Sequence, residues 1–281
     1  MDTSAFNVGF GKQAYRVVRP FGTLPPDVKF GMISKCAVNS RGELHICQRS
    51  DPPVIVFDPD GKFVRAFGHG QIADSHGIAI LSGDRVMVVD RDSHQLLCFD
   101  PQGKLLFALG ERGHARFQAP FNHPTDVAEA PGGDLYVSDG YGNTMVHQFS
   151  AEGKLKRSWG GPGNGPGQFT TPHGIKVLAD GRVLVGDREN NRVQVFDPDG
   201  GYLGEWRGFY HPMEIHVDAV RNLIYVSDQV PRVTALTPDG HVVGACKPVL
   251  AQGHGMSGDR AGNLYFVETR VPVITKLTPI N

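Results

Sequence analysis

One phrase returns five times along this chain, and no other feature restricts its fold as strongly. It reads VFDPDGKFVRAFG from Val56, CFDPQGKLLFALG from Cys98, QFSAEGKLKRSWG from Gln148, VFDPDGGYLGEWRG from Val195 and ALTPDGHVVGACKP from Ala235. Each copy is a strand, a D-P-x-G type turn and a second strand. Proline presets φ at the second turn position, and glycine takes the positive φ near the turn's end. Upstream of each copy lies a β-branched run ending in a polar corner: LHICQRS, RVMVVDRDS, DLYVSDGYGN, RVLVGDREN, LIYVSDQ and, for a last incomplete copy, NLYFVET. Further upstream again is a shorter run: KCAV, GIAI, TDVAEA, GIKVLA, MEIHVDA and GMSGD.

Six units at a spacing of roughly 40–50 residues, each of three or four short strands, are the pattern of an all-β, six-bladed β-propeller. No segment shows the helical period of roughly 10–15 residues between strands that a parallel α/β sheet requires. The 36 glycines and 20 prolines, about a fifth of the chain, are turn punctuation and fall short of the roughly 25–30% that marks low complexity. The final copy stops at ITKLTPIN, where an outer strand should begin, and AYRVVRPFG near the N-terminus reads like its missing partner. Residues from about Ala14 to Gly22 are therefore expected to supply the outer strand of the last blade, closing residues 1–281 into a single ring and a single domain.

Charge excludes some partners. Lys and Arg number 28 against 29 Asp and Glu, with no basic run to neutralise a row of phosphates, so nucleic acid is not expected. No stretch approaches the ~20 apolar residues that span a bilayer, and the first residues lack a basic and an apolar signal region, so neither membrane nor export is expected. Cys36, Cys47, Cys98 and Cys246 are scattered without a CxxC pair, which points to free thiols in a reducing, cytoplasmic setting.

Aligned on the first short run of each unit, one column holds Ser34, His76, Thr125, His173, Met213 and His254. Histidine occupies units two, four and six. In a six-bladed ring such positions converge on the axis at about 120° from one another. Three histidines with open coordination positions make a catalytic type of metal site. His123 and His211 fall earlier than this column, each before a proline, and are expected to stay outside the cluster. His45, His94, His147 and His216 read as structural.

The polar corners belong beside the same mouth. Tyr141 stands in unit three where unit two has Asp92 and unit four Glu189; a tyrosine beside a divalent metal suits a general base, because the cation favours phenolate. In unit one, Arg49 is read as standing where the repeat has an acid, placed to hold a substrate carboxylate bidentately.

The stretch HGIKVLADGRVLVGDRENNRVQVFDPDGG, from His173 to Gly201, resembles the NHL-repeat group of six-bladed propellers. The wider set, with H-G-I at His76, Pro124 to Asn143, G-Q-F-T-T-P-H ending at His173, Gly186 to Phe196 and G-H-G at His254, is similar to the catalytic core of the peptidyl-α-hydroxyglycine α-amidating lyases. That resemblance implies a zinc-dependent carbon–nitrogen lyase acting on a small or peptide-like substrate with a carboxylate. His76, His173 and His254 would be the zinc ligands, although another divalent transition metal would also suit them. Tyr141 would be the catalytic tyrosine and Arg49 the substrate-carboxylate arginine. The family's structural calcium uses two backbone carbonyls, which would fall near Cys36 and Ile78, and an aspartate after the third histidine. Here Gly255 stands in the aspartate's place, which puts a calcium site in question. Gln252 replaces a methionine of the pocket wall, and Gly142 a cysteine of secreted members. The alternatives are a metal-dependent hydrolase of the lactonase type and a non-catalytic NHL binding module.

Overall fold

The computed structural model describes residues 6–280. Twenty-five strands and two short 3-10 turns, Ser82–Asp84 and Arg188–Asn190, make up its regular structure. The strands form six antiparallel sheets, and the inner strands contact one another in sequence around a closed ring. Among the described residues, no helix is long and apolar enough to cross a membrane.

The repeated turn builds itself locally. Asp58 Oδ1 accepts from the backbone N–H of Asp60 and Lys62 at 3.0 and 2.8 Å, and Asp100 and Asp197 hold their turns in the same way. Gly61 and Gly103 have φ of 84° and 92°, a region closed to most side chains. The turn therefore needs no help from distant contacts. The strands of each blade alternate between the two faces of its sheet, and their apolar residues pack against the next blade. For example, Val127, Val137 and Phe149 of blade three meet Val89, Leu96 and Leu109 of blade two.

Blades one to five each have four strands. Blade six has five: Gly253–Gly258, Leu264–Glu268 and Val273–Ile280, followed by Gln13–Val18 and then Asn7–Phe10 at the edge. The N-terminus thus closes the ring, with Ala14 opposite Ile280 and Val18 opposite Lys276. The expected Ala14–Gly22 strand is corrected at both ends: it runs Gln13–Val18, and a further strand lies outside it. Phe10 and Tyr15 explain the addition. Both are buried, packed edge-on to each other and, through Phe10, to Tyr225 of blade five, so the N-terminal hairpin seals the seam between the last two blades.

The second strand of every blade ends on a residue that shapes the loop entering its inner strand. Asp90 accepts from the N–H of Ala73 and Asp74, Asp139 from Asn122, Asp187 from Thr170, Asp228 from Tyr210, and Glu268 from Leu250 and Ala251. In blade one Gln48 takes this place and accepts from Gly31. Six buried acceptors thus fix the six loops of the mouth. All four cysteines are free thiols, and three of them are buried.

Candidate metal centre

The inner strands begin at Ile33, Ser75, Pro124, Pro172, Pro212 and Gly253. Ser34, His76, Thr125, His173, Met213 and His254 are therefore the second residue of each. In all six blades the ladder to the second strand slips at this residue. A bulge leaves its extra residue out of the pairing and re-aims its side chain; here the column is turned toward the axis. The three imidazoles meet there with centroids 5.1, 5.1 and 5.2 Å apart. One nitrogen from each lies within 4.8 Å of the other two.

Each ring is oriented by the blade that follows it. His76 Nδ1 lies 2.7 Å from the Thr125 carbonyl oxygen, His173 Nδ1 2.7 Å from that of Met213, and His254 Nδ1 2.7 Å from that of Ser34. A carbonyl only accepts, so each Nδ1 carries the hydrogen and each Nε2 keeps its lone pair. The glycine after each histidine makes this possible. A Cβ on Gly77 would stand 2.8 Å from the Thr125 oxygen, on Gly174 2.9 Å from the Met213 oxygen, and on Gly255 2.9 Å from the Ser34 oxygen. The H-G pair is thus one device: the missing side chain admits the carbonyl that orients the ring.

Burial drives all three imidazoles toward the neutral form. His254 is pushed down to about 3, by burial first and then by Lys35. His76 and His173 lie well below the usual range, through burial and then the neighbouring histidines. Three neutral, dry nitrogens with convergent lone pairs have the donor chemistry of a transition-metal site.

Tyr141 stands over this cluster from the blade-three corner, partly exposed. Its Oη lies 3.1 Å from His76 Nε2 and 3.2 Å from His173 Nε2. Arg188 Nη1 donates to the same oxygen at 3.2 Å, and the Arg188 and Arg91 guanidinium carbons sit 5.2 and 5.5 Å from the ring centroid. Arg49 Nε is 3.6 Å from Asp74 Oδ1, while Arg91 Nη2 donates to Asp74 Oδ2 at 3.1 Å. One carboxylate therefore steadies two guanidiniums from adjacent blades.

Arg91, Arg188 and Asp74 were not singled out from the sequence; Asp74 lies in the loop just before the inner strand Ser75–Ile80, and for the two arginines the reason is a register error. Arg49 does not replace the acid of the repeat; Gln48 does, at the end of the strand Leu44–Gln48. Arg49 occupies the next position, which in blades two and four holds Arg91 and Arg188. Correctly aligned, that column would have pointed to three arginines. Asp92 and Glu189 pair with Arg91 and Arg188. His123 and His211 stay outside the cluster: His123 packs on His94, and His211 stacks on Tyr210.

A second layer lies one residue further along the inner strands. There, blades one, three and five carry Lys35, Asp126 and Glu214, all at most 2% exposed. Lys35 Nζ lies 2.8 Å from Asp126 Oδ2 and also contacts Glu214. Lys176 Nζ joins the same carboxylates at 3.2 and 3.0 Å. Burial works against the charge on Asp126, yet Lys176 and Lys35 hold its carboxyl below the usual range. A cavity of about 290 Å³ lined by Lys176, His216, Ile78 and Met256 opens at this end of the axis.

The NHL repeat model matches residues 169–196. Human NHL repeat-containing protein 3 is 30% identical over 231 residues, covering 76% of this chain and 62% of that protein. A probable peptidyl-α-hydroxyglycine α-amidating lyase of Caenorhabditis elegans is 30% identical over 203 residues, covering 62% of this chain and 58% of that protein. The chain thus spans about three fifths of the length of these relatives. Among solved structures, a streptogramin B lyase superposes with a TM-score of 0.72 at 11% identity, over 97% of this chain and all of that one, a likeness of fold alone. The chain is an NHL-repeat six-bladed β-propeller protein, with relatives named peptidyl-α-hydroxyglycine α-amidating lyase and NHL repeat-containing protein 3.

Proposed function

We propose that this propeller is a metal-dependent carbon–nitrogen lyase that cleaves α-hydroxyglycine-type substrates, R–CO–NH–CH(OH)–COO⁻, to an amide and glyoxylate. The observation that carries this reading is the placement of Tyr141 Oη within 3.2 Å of two Nε2 atoms of a buried three-histidine cluster. His76, His173 and His254 would hold the ion, zinc or another divalent transition metal. When bound, it would supply Lewis acidity toward the substrate's hydroxyl and carboxylate oxygens. Arg49, steadied by Asp74, binds the carboxylate. Tyr141, oriented by Arg188, takes the hydroxyl proton while the C–N bond breaks, and that proton ends on the departing amide nitrogen. Atoms and charge balance without a redox partner. Asp126 and Glu214 are already matched by Lys35 and Lys176, an arrangement that does not suit a structural calcium ion. The free, mostly buried thiols suit a reducing cytoplasm.

Elemental analysis of the purified protein, followed by a glyoxylate-release screen over α-hydroxyglycine derivatives, tests this directly. The expected result is about one divalent ion per chain and glyoxylate release, both lost in His173→Ala. Lactone opening without glyoxylate would establish the hydrolase instead. Absence of metal together with absence of turnover would leave a binding module.

A further inference from the structure

The two axial layers are connected residue by residue. Each member of the ionic layer directly follows one of the three carbonyls that orient a histidine: Lys35 follows Ser34, which receives His254; Asp126 follows Thr125, which receives His76; Glu214 follows Met213, which receives His173. The accepting carbonyls and the side chains of Lys35, Asp126 and Glu214 come from blades one, three and five, and the histidines from blades two, four and six. The Lys35 ammonium reaches Asp126 and Glu214 across the ring. Side chains from three alternate blades meet in this way only on the axis. Glycine at the matching positions of the other blades, Gly77, Gly174 and Gly255, leaves that space clear.

We propose that Lys35 is a positioning residue for the metal centre: its ammonium ties the odd blades together at the radius where their carbonyls receive the three Nδ1–H groups. The proposal rests on the reading of the histidines as metal ligands. Taking such charges out of water is costly, and a hydrophobic replacement of similar volume is often no less stable, so bulk stability does not account for a full ionic layer at the axis. Orientation of ligands does. Groups that hold a ligating histidine through its second nitrogen typically change metal affinity by about 10–100-fold when removed. Lys176 shares the same carboxylates but is partly exposed and follows no histidine-orienting carbonyl, which makes it the internal control.

The test is a Co²⁺ titration of the full-length protein, followed by its visible absorption, together with ¹⁵N NMR of the metal-free imidazoles. Lys35→Met is expected to keep the β-sheet circular dichroism, to bind Co²⁺ at least tenfold more weakly with an altered visible band, and to lose the uniform Nδ1–H state of the three rings. Lys176→Met should stay within about threefold of the parent. Should Lys35→Met fail to fold, the charge-balanced variant Lys35→Met/Asp126→Asn, which leaves Glu214 paired with Lys176, takes its place, with the same weakening expected. Parental affinity, band and tautomers in a folded Lys35 variant would overturn the proposal, as would an equal loss in Lys176→Met. If the parent protein binds no Co²⁺, the metal reading fails, and the imidazole spectra alone then decide whether Lys35 sets the orientation of the rings.

Discussion

His254 Nδ1 lies 2.7 Å from the carbonyl oxygen of Ser34, although the two residues are 220 positions apart in the chain. This bond joins the last blade to the first and at the same time orients one of three candidate metal ligands. Ring closure and site assembly are therefore one event, and a change that loosens the seam between blades six and one should be felt at the histidines.

Gly255 is the most sensitive point of that seam. A Cβ there would stand 2.5 Å from Lys35 Cα and 2.9 Å from the Ser34 oxygen. Gly255→Ala should cost about 1–3 kcal/mol by overpacking and weaken metal binding by at least about tenfold. Gly204→Ala, with nothing within 4 Å of its Cβ, should change stability by no more than about 0.5 kcal/mol. Urea unfolding of the two variants side by side, with a metal titration, is the measurement; equal behaviour would remove the role assigned to the H-G pair.

Removing the N-terminal strands should open the ring. Residues up to Val18 contribute the outer strand of blade six and the buried rings of Phe10 and Tyr15, each worth about 1.5–3 kcal/mol of burial. A chain beginning after Val18 is expected to lose about 3 kcal/mol or more and most of its bound metal. Thermal unfolding and elemental analysis read both, and unchanged values would show that closure does not depend on this hairpin.

Tyr141→Phe keeps the ring and deletes only the oxygen shared by His76, His173 and Arg188. Metal content and the unfolding temperature should stay close to the parent, while kcat for glyoxylate release falls by about 10²–10⁴, the usual contribution of a positioned acid–base group. A variant that retains most of its turnover would take Tyr141 out of the proton transfer.

Acid should destabilise the protein before its carboxylates protonate. His45 is lowered to about 4 by burial and then Arg65, and His216 to about 4 by burial. Both folded values lie below the ordinary 6.5, so between about pH 6.5 and 4 the unfolded chain binds protons that the folded one does not. Stability is then fully present above about 6.5 and falls with pH through that window, by about 1 kcal/mol per unit for each such histidine. Urea titrations of metal-free protein at pH 7, 5.5 and 4.5 would show it, and His45→Asn should flatten the slope. A stability that stays level down to pH 4.5 would contradict the burial assigned to these rings.

Much of the site was legible because six copies of one unit can be aligned against each other. The column Ser34, His76, Thr125, His173, Met213, His254 is a statement about register, and register survives translation into three dimensions when every blade carries the same bulge. Where a copy lost its marker, the reading slipped. Gln48 in place of an acid shifted Arg49 by one position and hid its likeness to Arg91 and Arg188.

The sequence by itself determined the blade, because Asp58, Asp100 and Asp197 close their turns with their own backbone neighbours, and strand alternation needs only adjacent residues. It also determined which six residues share a column. Only the tertiary structure decided what that column faces. The Lys35–Asp126–Glu214 tie, the carbonyl behind each imidazole and the Asp74 carboxylate between Arg49 and Arg91 all join different blades, and their partners become neighbours only when the ring closes. Local chemistry can be read along the chain. The geometry at the axis is set by closure, which brings alternate blades together at one radius.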